Sequence, residues 1–236
     1  MRSAFIILAL LAASAFCTQN VPIPYTYDGF VIGDPNAPIT IEAFYDLLCP
    51  ASEAANEQIN LLFTNATFAQ YLPKIKFIYH IFPLPYHDYA FSFAQLYRHI
   101  FDNYDAKTTF DFINWSFDIQ EQYWNGPVIN YTRNAVFNKL AHQLHDFAPK
   151  ISINETLSAL TNRTYDLQAR YSWKYGVSRE VAGTPYFFLN GVQLDGAESF
   201  SSSTWARTLL PYIYADSKAK PESVNEFKDF FNSAQY

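Results

Sequence analysis

The sequence carries two cysteines, Cys17 and Cys49, and Cys49 stands where a sulfur can be made reactive. Pro50 follows it, then a stretch with helical spacing from Ala51 to about Phe63, in which Ala55, Ile59 and Leu62 recur three and four residues apart. Cys49 is then the N-cap and Pro50 the first helical residue, where the missing N–H costs nothing. The positive end of the helix dipole and the free N–H groups of the first turn face the sulfur and favour its thiolate. Ser52, three residues on, could reach the same sulfur with its hydroxyl or N–H, while Glu53 opposes weakly as a negative charge at the same terminus. The chemistry open to such a sulfur is nucleophilic: thiol–disulfide exchange through a mixed disulfide. The competing reading is a buried structural cysteine, because free Cys packs as a small hydrophobe. A second feature is Gly183-Thr184-Pro185; an X–Pro bond is cis in only about 5–6% of cases, so chance alone predicts a trans turn.

The elements that must position these residues can be read from the same pattern. Ile39 to Tyr45 is rich in β-branched and aromatic side chains and predicts a strand running toward Cys49. Lys76 to Phe82 predicts a second, stopped by Pro83 and Pro85. The segment from about Thr26 to Asn36 is turn-rich and predicts no strand. Four helical stretches come next, at Tyr89–Ile100, Phe110–Tyr123, Thr132–Asp146 and Asn154–Tyr175, with breaks at Pro127 and Pro149. Tyr186 to Leu189, the turn Asn190-Gly191 and Val192 to Leu194 form a hairpin. A last helix runs from Thr204 to about Tyr214, capped from Ser201 to Ser203. The order βα, β, helical block, ββ, α is that of one α/β domain.

Composition bounds the setting. Aromatics make up 19% of 236 residues, enough for a sizeable core. The net charge of -6, from 22 acids and 16 bases without blocks, argues against a nucleic-acid partner, which needs clustered Lys and Arg. Arg2 followed by the apolar run Ala4 to Ala15, broken only by Ser14, describes a secretory signal peptide over residues 1–17, too short to span a bilayer. Cleavage after Ala15 or Cys17 fits equally, and with the latter the mature chain keeps Cys49 alone and can form no internal disulfide. Asn65, Asn114, Asn130, Asn154 and Asn162 open Asn-x-Ser/Thr glycosylation sequences, against about two expected by chance, in agreement with a secretory route. The expected location is the secretory lumen or the exterior, with no membrane contact after signal removal. Residues 216–236 form a polar tail apart from Phe227, Phe230 and Phe231, without a retention tetrapeptide.

No metal site is expected: His142 and His145 lie three apart on a helix with no accompanying carboxylate or thiol motif. His80 and His87 read as hydrogen-bonded structural residues, and Trp115, Trp124, Trp173 and Trp205 as core.

Three motifs, taken in order, resemble the DsbA-like thioredoxin-fold family. The first is Gly33-Asp34-Pro35-Asn36-Ala37-Pro38-Ile39-Thr40 followed by Phe44-Tyr45-Asp46-Leu47-Leu48-Cys49-Pro50. The second is Pro83-Leu84-Pro85-Tyr86-His87 followed by Ala90, and the third runs from Val181 to Gly191 through Thr184-Pro185. The resemblance implies a thioredoxin-like fold over 26–215, with a helical insertion at about 87–175 between the βαβ and ββα halves. It implies that Cys49 is the nucleophilic, more exposed cysteine, that Pro185 is a cis-proline facing it, and that Thr184 offers backbone groups to an extended substrate peptide, with Pro50 beside it. His87 is the histidine that the resemblance brings nearest the site. Ser52 falls where the family has its resolving cysteine, and Ala43 where many relatives carry a buried acid, with Glu42 next door.

Without a resolving cysteine a mixed disulfide has no internal exit, and an external thiol must release it. The expected activity is therefore exchange through a single nucleophilic cysteine with protein or peptide thiols and disulfides, or with glutathione as co-substrate and no other cofactor. The alternatives are a redox-inactive peptide- or ligand-binding protein and an enzyme resembling kappa-type glutathione transferases.

Overall fold

Residues 21, 23 and 26–216 of the chain are described by a computed structural model. Strands rich in Ile, Val, Phe and Tyr pack best with both faces covered, and the central strands here are buried along almost their whole length. Five strands form one sheet: β1 (Phe30–Gly33), β2 (Ile39–Tyr45), β3 (Ile75–Ile81), β4 (Tyr186–Leu189) and β5 (Val192–Gln193). Their order is β1-β3-β2-β4-β5. The β2–β3 pair is parallel, from Ile39 opposite Ile75 to Tyr45 opposite Ile81, and the other pairs are antiparallel.

Parallel neighbours need a crossover, and the helix α1 (Pro50–Thr64) with a 3-10 turn at Ala69–Lys74 supplies it. The helical block comprises α2 (Ala90–Asn103), α3 (Ala106–Ile119), α4 (Asn125–Val128), α5 (Arg133–Phe147), α6 (Ile153–Ala159) and α7 (Arg163–Ser178). α8 (Ser202–Asp216) closes the described chain. The starts of α3, α5, α6 and α7 are fixed by Asp105, Thr132, Ser152 and Asn162, each of whose side chains accepts a backbone N–H of the first turn. This is the thioredoxin-like arrangement, with its helical block between β3 and β4.

Two expectations are corrected. The turn-rich segment after Thr26 contains β1, four residues bracketed by Gly29 and Gly33. Gly33 has φ +95, and a Cβ there would lie 2.3 Å from the Ile75 carbonyl oxygen, so only glycine lets β1 approach β3. The single helix read over Asn154–Tyr175 is two, α6 and α7, because Leu160 is buried and carries the apolar period across the break that the Asn162 cap makes.

Successive strand residues face opposite ways, so β2 divides the core. Ile39, Ile41, Ala43 and Tyr45 join the main cluster with Ile59, Phe93 and Trp205. Phe44 belongs to a smaller cluster with Cys49, Phe82, Leu84, Val181 and Phe188, against which Tyr175 packs from α7.

A candidate thiol site built on Cys49

Cys49 caps α1 with φ -93 and ψ 119, and Pro50 is the first helical residue, as the Cys-Pro pair predicts. The thiol donates to the Thr184 carbonyl oxygen at 3.5 Å. Thr184-Pro185 is a cis peptide bond, and the Cys49–Thr184 contact brings the β-hairpin entry to the start of α1 although 135 residues separate them. Chance had favoured trans; the family resemblance implied cis. Cys49 is only 6% exposed, less open than the resemblance implied, because Phe44, Phe82, Leu84, Val181 and Phe188 cluster around it. A cleft of about 410 Å³ opens beside Pro185, walled by Thr184, Tyr186, Leu194, Asp195 and Glu198.

The turn that presents Cys49 is organised by Asp46, which sequence reading passed over. The Cys49 N–H donates to the Asp46 carbonyl at 3.0 Å. The fully buried Asp46 carboxylate accepts from the N–H groups of Leu48 at 2.8 Å and Leu84 at 3.0 Å, and from His87 Nδ1 at 2.7 Å. Burial pushes the Asp46 carboxyl above its ordinary value, against the three hydrogen bonds that favour its anion. The Trp124 indole N–H donates to the Leu48 carbonyl at 3.1 Å and closes the turn from the helical block. The missed signal was the spacing: an acid three residues before a capping cysteine can tie the turn to a following loop.

Ser52 is fully buried, and its hydroxyl accepts from the Asp46 N–H at 3.3 Å. The structure thus gives Ser52 Oγ a backbone partner in the Cys49 turn. Ala43 lies on the opposite face of β2 from Phe44 and carries no acid into the site. Glu53, in the first turn of α1, takes a 2.6 Å hydrogen bond from Gln120, and burial together with the charge of Asp118 pushes its carboxyl up. Of the five Asn-x-Ser/Thr positions, Asn65, Asn130, Asn154 and Asn162 are exposed. Asn162 Oδ1 also caps α7. Asn114 sits inside α3, where its Oδ1 accepts from Asn56 and Asn60 and its Nδ2 donates to the Phe110 carbonyl. Residues 1–17 and 217–236, where the sequence suggested a signal peptide and most of a polar tail, lie outside the described residues.

Glu42, which the sequence left as an alternative acid, belongs to a buried charge cluster behind Phe44. Its carboxylate accepts from the Tyr27 hydroxyl at 2.6 Å and from both Arg179 terminal nitrogens at 3.0 and 3.3 Å. His80, stacked on Phe44 at 4.4 Å, sits between acids, with Nδ1 3.1 Å from Asp28 and Nε2 3.3 Å from Glu42. Arg98 and Ser172 also reach Asp28. Burial opposes charge on all three groups, but the mutual contacts outweigh it. They hold Asp28 below its ordinary value and Glu42 at about 2, and raise His80. Five chain segments build this cluster, so no local pattern announces it.

Of the remaining histidines, His142 is exposed, and two are tied into the fold. His145 Nδ1 is 2.9 Å from the Ile151 carbonyl, and His99 Nε2 is 3.0 Å from Glu155. Among the described residues, no group of three His, Cys, Asp or Glu could hold a metal ion, and no helix is long and apolar enough to cross a membrane. A larger groove of about 470 Å³ lies away from Cys49 between α1 and α8, and its polar lining of Asn65, Thr67, Ser202 and Ser203 offers no comparable nucleophile.

A cysteine capping the helix that follows the central strand, set against a cis-proline at the start of β4, defines a thioredoxin-fold protein with a thiol site. The family model described as Thioredoxin matches residues 26–208, and the chain belongs to that family. Solved structures with the same fold include α-DsbA1 of Wolbachia pipientis, at 14% identity and TM-score 0.61, over 83% of this chain and 94% of that one. BdbD of Bacillus subtilis in its oxidised form matches at 16% and 0.60, over 79% and 93%. A protein-disulfide isomerase of Novosphingobium aromaticivorans matches at 15% and 0.58, over 78% and 96%. A search of curated protein sequences finds no match.

Proposed function

We propose that this protein carries out thiol–disulfide exchange through Cys49 as its single nucleophile, in the secretory lumen or outside the cell. The observation that carries the reading is the meeting of the Cys49 thiol with the Thr184 carbonyl at 3.5 Å, next to the cis bond to Pro185. Relatives named for disulfide chemistry, DsbA proteins and protein-disulfide isomerases, share the fold and support the same chemistry here. In the forward step Cys49 Sγ bonds to one sulfur of a substrate disulfide while that S–S bond breaks, and the other sulfur leaves as a thiolate and takes up a proton. The number of disulfides is unchanged. Ser52 in the resolving position leaves release to an external thiol, with reduced glutathione the simplest candidate. Protein or peptide disulfides would lie along the cleft beside Pro185, held by backbone pairing next to Thr184. The signal-like residues 1–17 and the exposed Asn-x-Ser/Thr positions support a glycosylated, exported protein.

A disulfide-linked reporter peptide, supplied with reduced glutathione, tests this. Turnover that disappears in Cys49→Ser is expected; equal rates with and without the protein would remove the reading.

One observation favours a second reading, a protein that binds extended peptides without turnover: Cys49 is nearly enclosed. It predicts that Cys49→Ser binds a peptide in the Pro185 cleft as well as the native chain does while neither turns over.

A further inference from the structure

We infer that His87, through its hydrogen bond to Asp46, is a positioning residue that offsets a negative charge in the turn presenting Cys49 and so sets the pH range in which Cys49 exchanges. The inference rests on the exchange reading above and deepens it.

Asp46 is a carboxylate within one chain turn of the reacting sulfur, and the Cys49 N–H closes that turn on the Asp46 carbonyl. An anion there opposes the negative charge that a nucleophilic sulfur must carry. The two backbone donors, Leu48 and Leu84, stabilise the carboxylate but bring no net charge. Ser52 takes the Asp46 N–H and likewise brings none. The cation that can neutralise Asp46 is His87, whose Nδ1 lies 2.7 Å from Oδ2.

The surroundings of His87 leave that role to it. The Asp46 bond fixes the ring, with the edge of the Tyr86 ring 5.0 Å away between centroids. His87 also borders a cavity of about 400 Å³ whose apolar walls include Leu84, Phe91 and Trp173. Two further charged groups line it: Asp88, next in the chain, and Arg170 from α7, which is held by Asp166 at 3.0 and 3.1 Å. Glu53 in the first turn of α1 adds negative charge on the Cys49 side. The imidazole is one-fifth exposed, so protons reach it from solvent. Leu84 connects the parts: its N–H holds Asp46 while its side chain belongs to the Cys49 cluster.

The test measures the rate at which Cys49 takes glutathione from glutathione disulfide, by intact mass, from pH 5 to 8. The proteins are the native chain, His87→Gln, Asp46→Asn, the double variant and His87→Lys. An uncompensated like charge that shifts the thiol by about one pKa unit changes its thiolate fraction about tenfold, so His87→Gln should slow the reaction about tenfold below pH 7. His87→Lys, which keeps a positive charge at this place, should recover most of the rate. In the Asp46→Asn background, changing residue 87 should have no further effect. A native reaction that His87→Gln leaves unchanged in rate and profile overturns this inference alone. Failure of His87→Lys to recover any rate, in a variant whose near-ultraviolet spectrum is native, also overturns it, whether or not Asp46→Asn folds. If the native chain takes no glutathione at any pH, the exchange reading falls and the inference falls with it.

Discussion

Replacing Glu42 by Gln removes the carboxylate on which Tyr27, His80 and Arg179 converge. The native contacts hold this carboxyl at about 2 against an ordinary 4.5. At about 1.36 kcal/mol for each pKa unit, that displacement is worth about 3 kcal/mol. Tyr27 and Arg179 both open to solvent, and screening brings the figure to about 2 kcal/mol. A depressed carboxyl contributes stability that is present above its unfolded value and is lost as pH falls through its folded value. Here that window runs from 4.5 down to about 2. His80 has the opposite sign: its raised value gives stability that is full below 6.5 and fades as pH rises through the folded value. The cluster is therefore strongest between about pH 4.5 and 6.5. Urea unfolding of native chain and Glu42→Gln at pH 2.5, 5 and 7 reads this directly. At pH 5 and 7 the variant should be less stable by about 2–4 kcal/mol, since Arg179 and His80 lose a buried partner. At pH 2.5 the gap should shrink by about 2 kcal/mol, because the native carboxyl is then close to protonation. A gap of the same size at pH 2.5 and 7 would refute the reasoning.

Ser52→Cys places a thiol where the buried hydroxyl meets the Asp46 N–H, and it should form an internal disulfide with Cys49. Mixed disulfides should then be released more than about tenfold faster without external thiol, as quenched-flow mass spectra would show. Gly176→Ala would set a Cβ 2.6 Å from a Phe82 ring carbon and 3.3 Å from Phe44. A helix-propensity gain of about 1 kcal/mol should be outweighed by overpacking, for a net loss of about 1–2 kcal/mol in thermal unfolding. In a host that glycosylates exported proteins, peptide mapping should find sugar on exposed positions such as Asn65, Asn130 or Asn154 and none on Asn114, whose amide is bonded on both sides.

The parts of the fold legible in the sequence are those fixed by local chemistry. The bounds of β2 follow from its β-branched run, the start of α1 from Cys49-Pro50, and the β4–β5 turn from Asn190-Gly191, with φ of 50 and 81. β1 was hidden because the three residues between Gly29 and Gly33 are too few to carry a period of their own. The Asn162 break was hidden because apolar spacing continues through the buried Leu160. For the site, Cys49 and Thr184-Pro185 stood out by residue type, and the resemblance placed them together. Asp46 was passed over, since its partners Leu84 and His87 are 38 and 41 residues away. Tyr27, Asp28, Glu42, His80 and Arg179 form one charge cluster only once α7 lies across the sheet.

The most direct test of the central claim is intact-mass analysis of the folded protein without residues 1–17 after exposure to glutathione disulfide. A single adduct on Cys49, formed under native conditions, removed by dithiothreitol and absent from Cys49→Ser, is the predicted result. A Cys49 that stays unmodified until denaturant is added would contradict it, and would mark the sulfur as part of the packing among Phe44, Phe82 and Phe188.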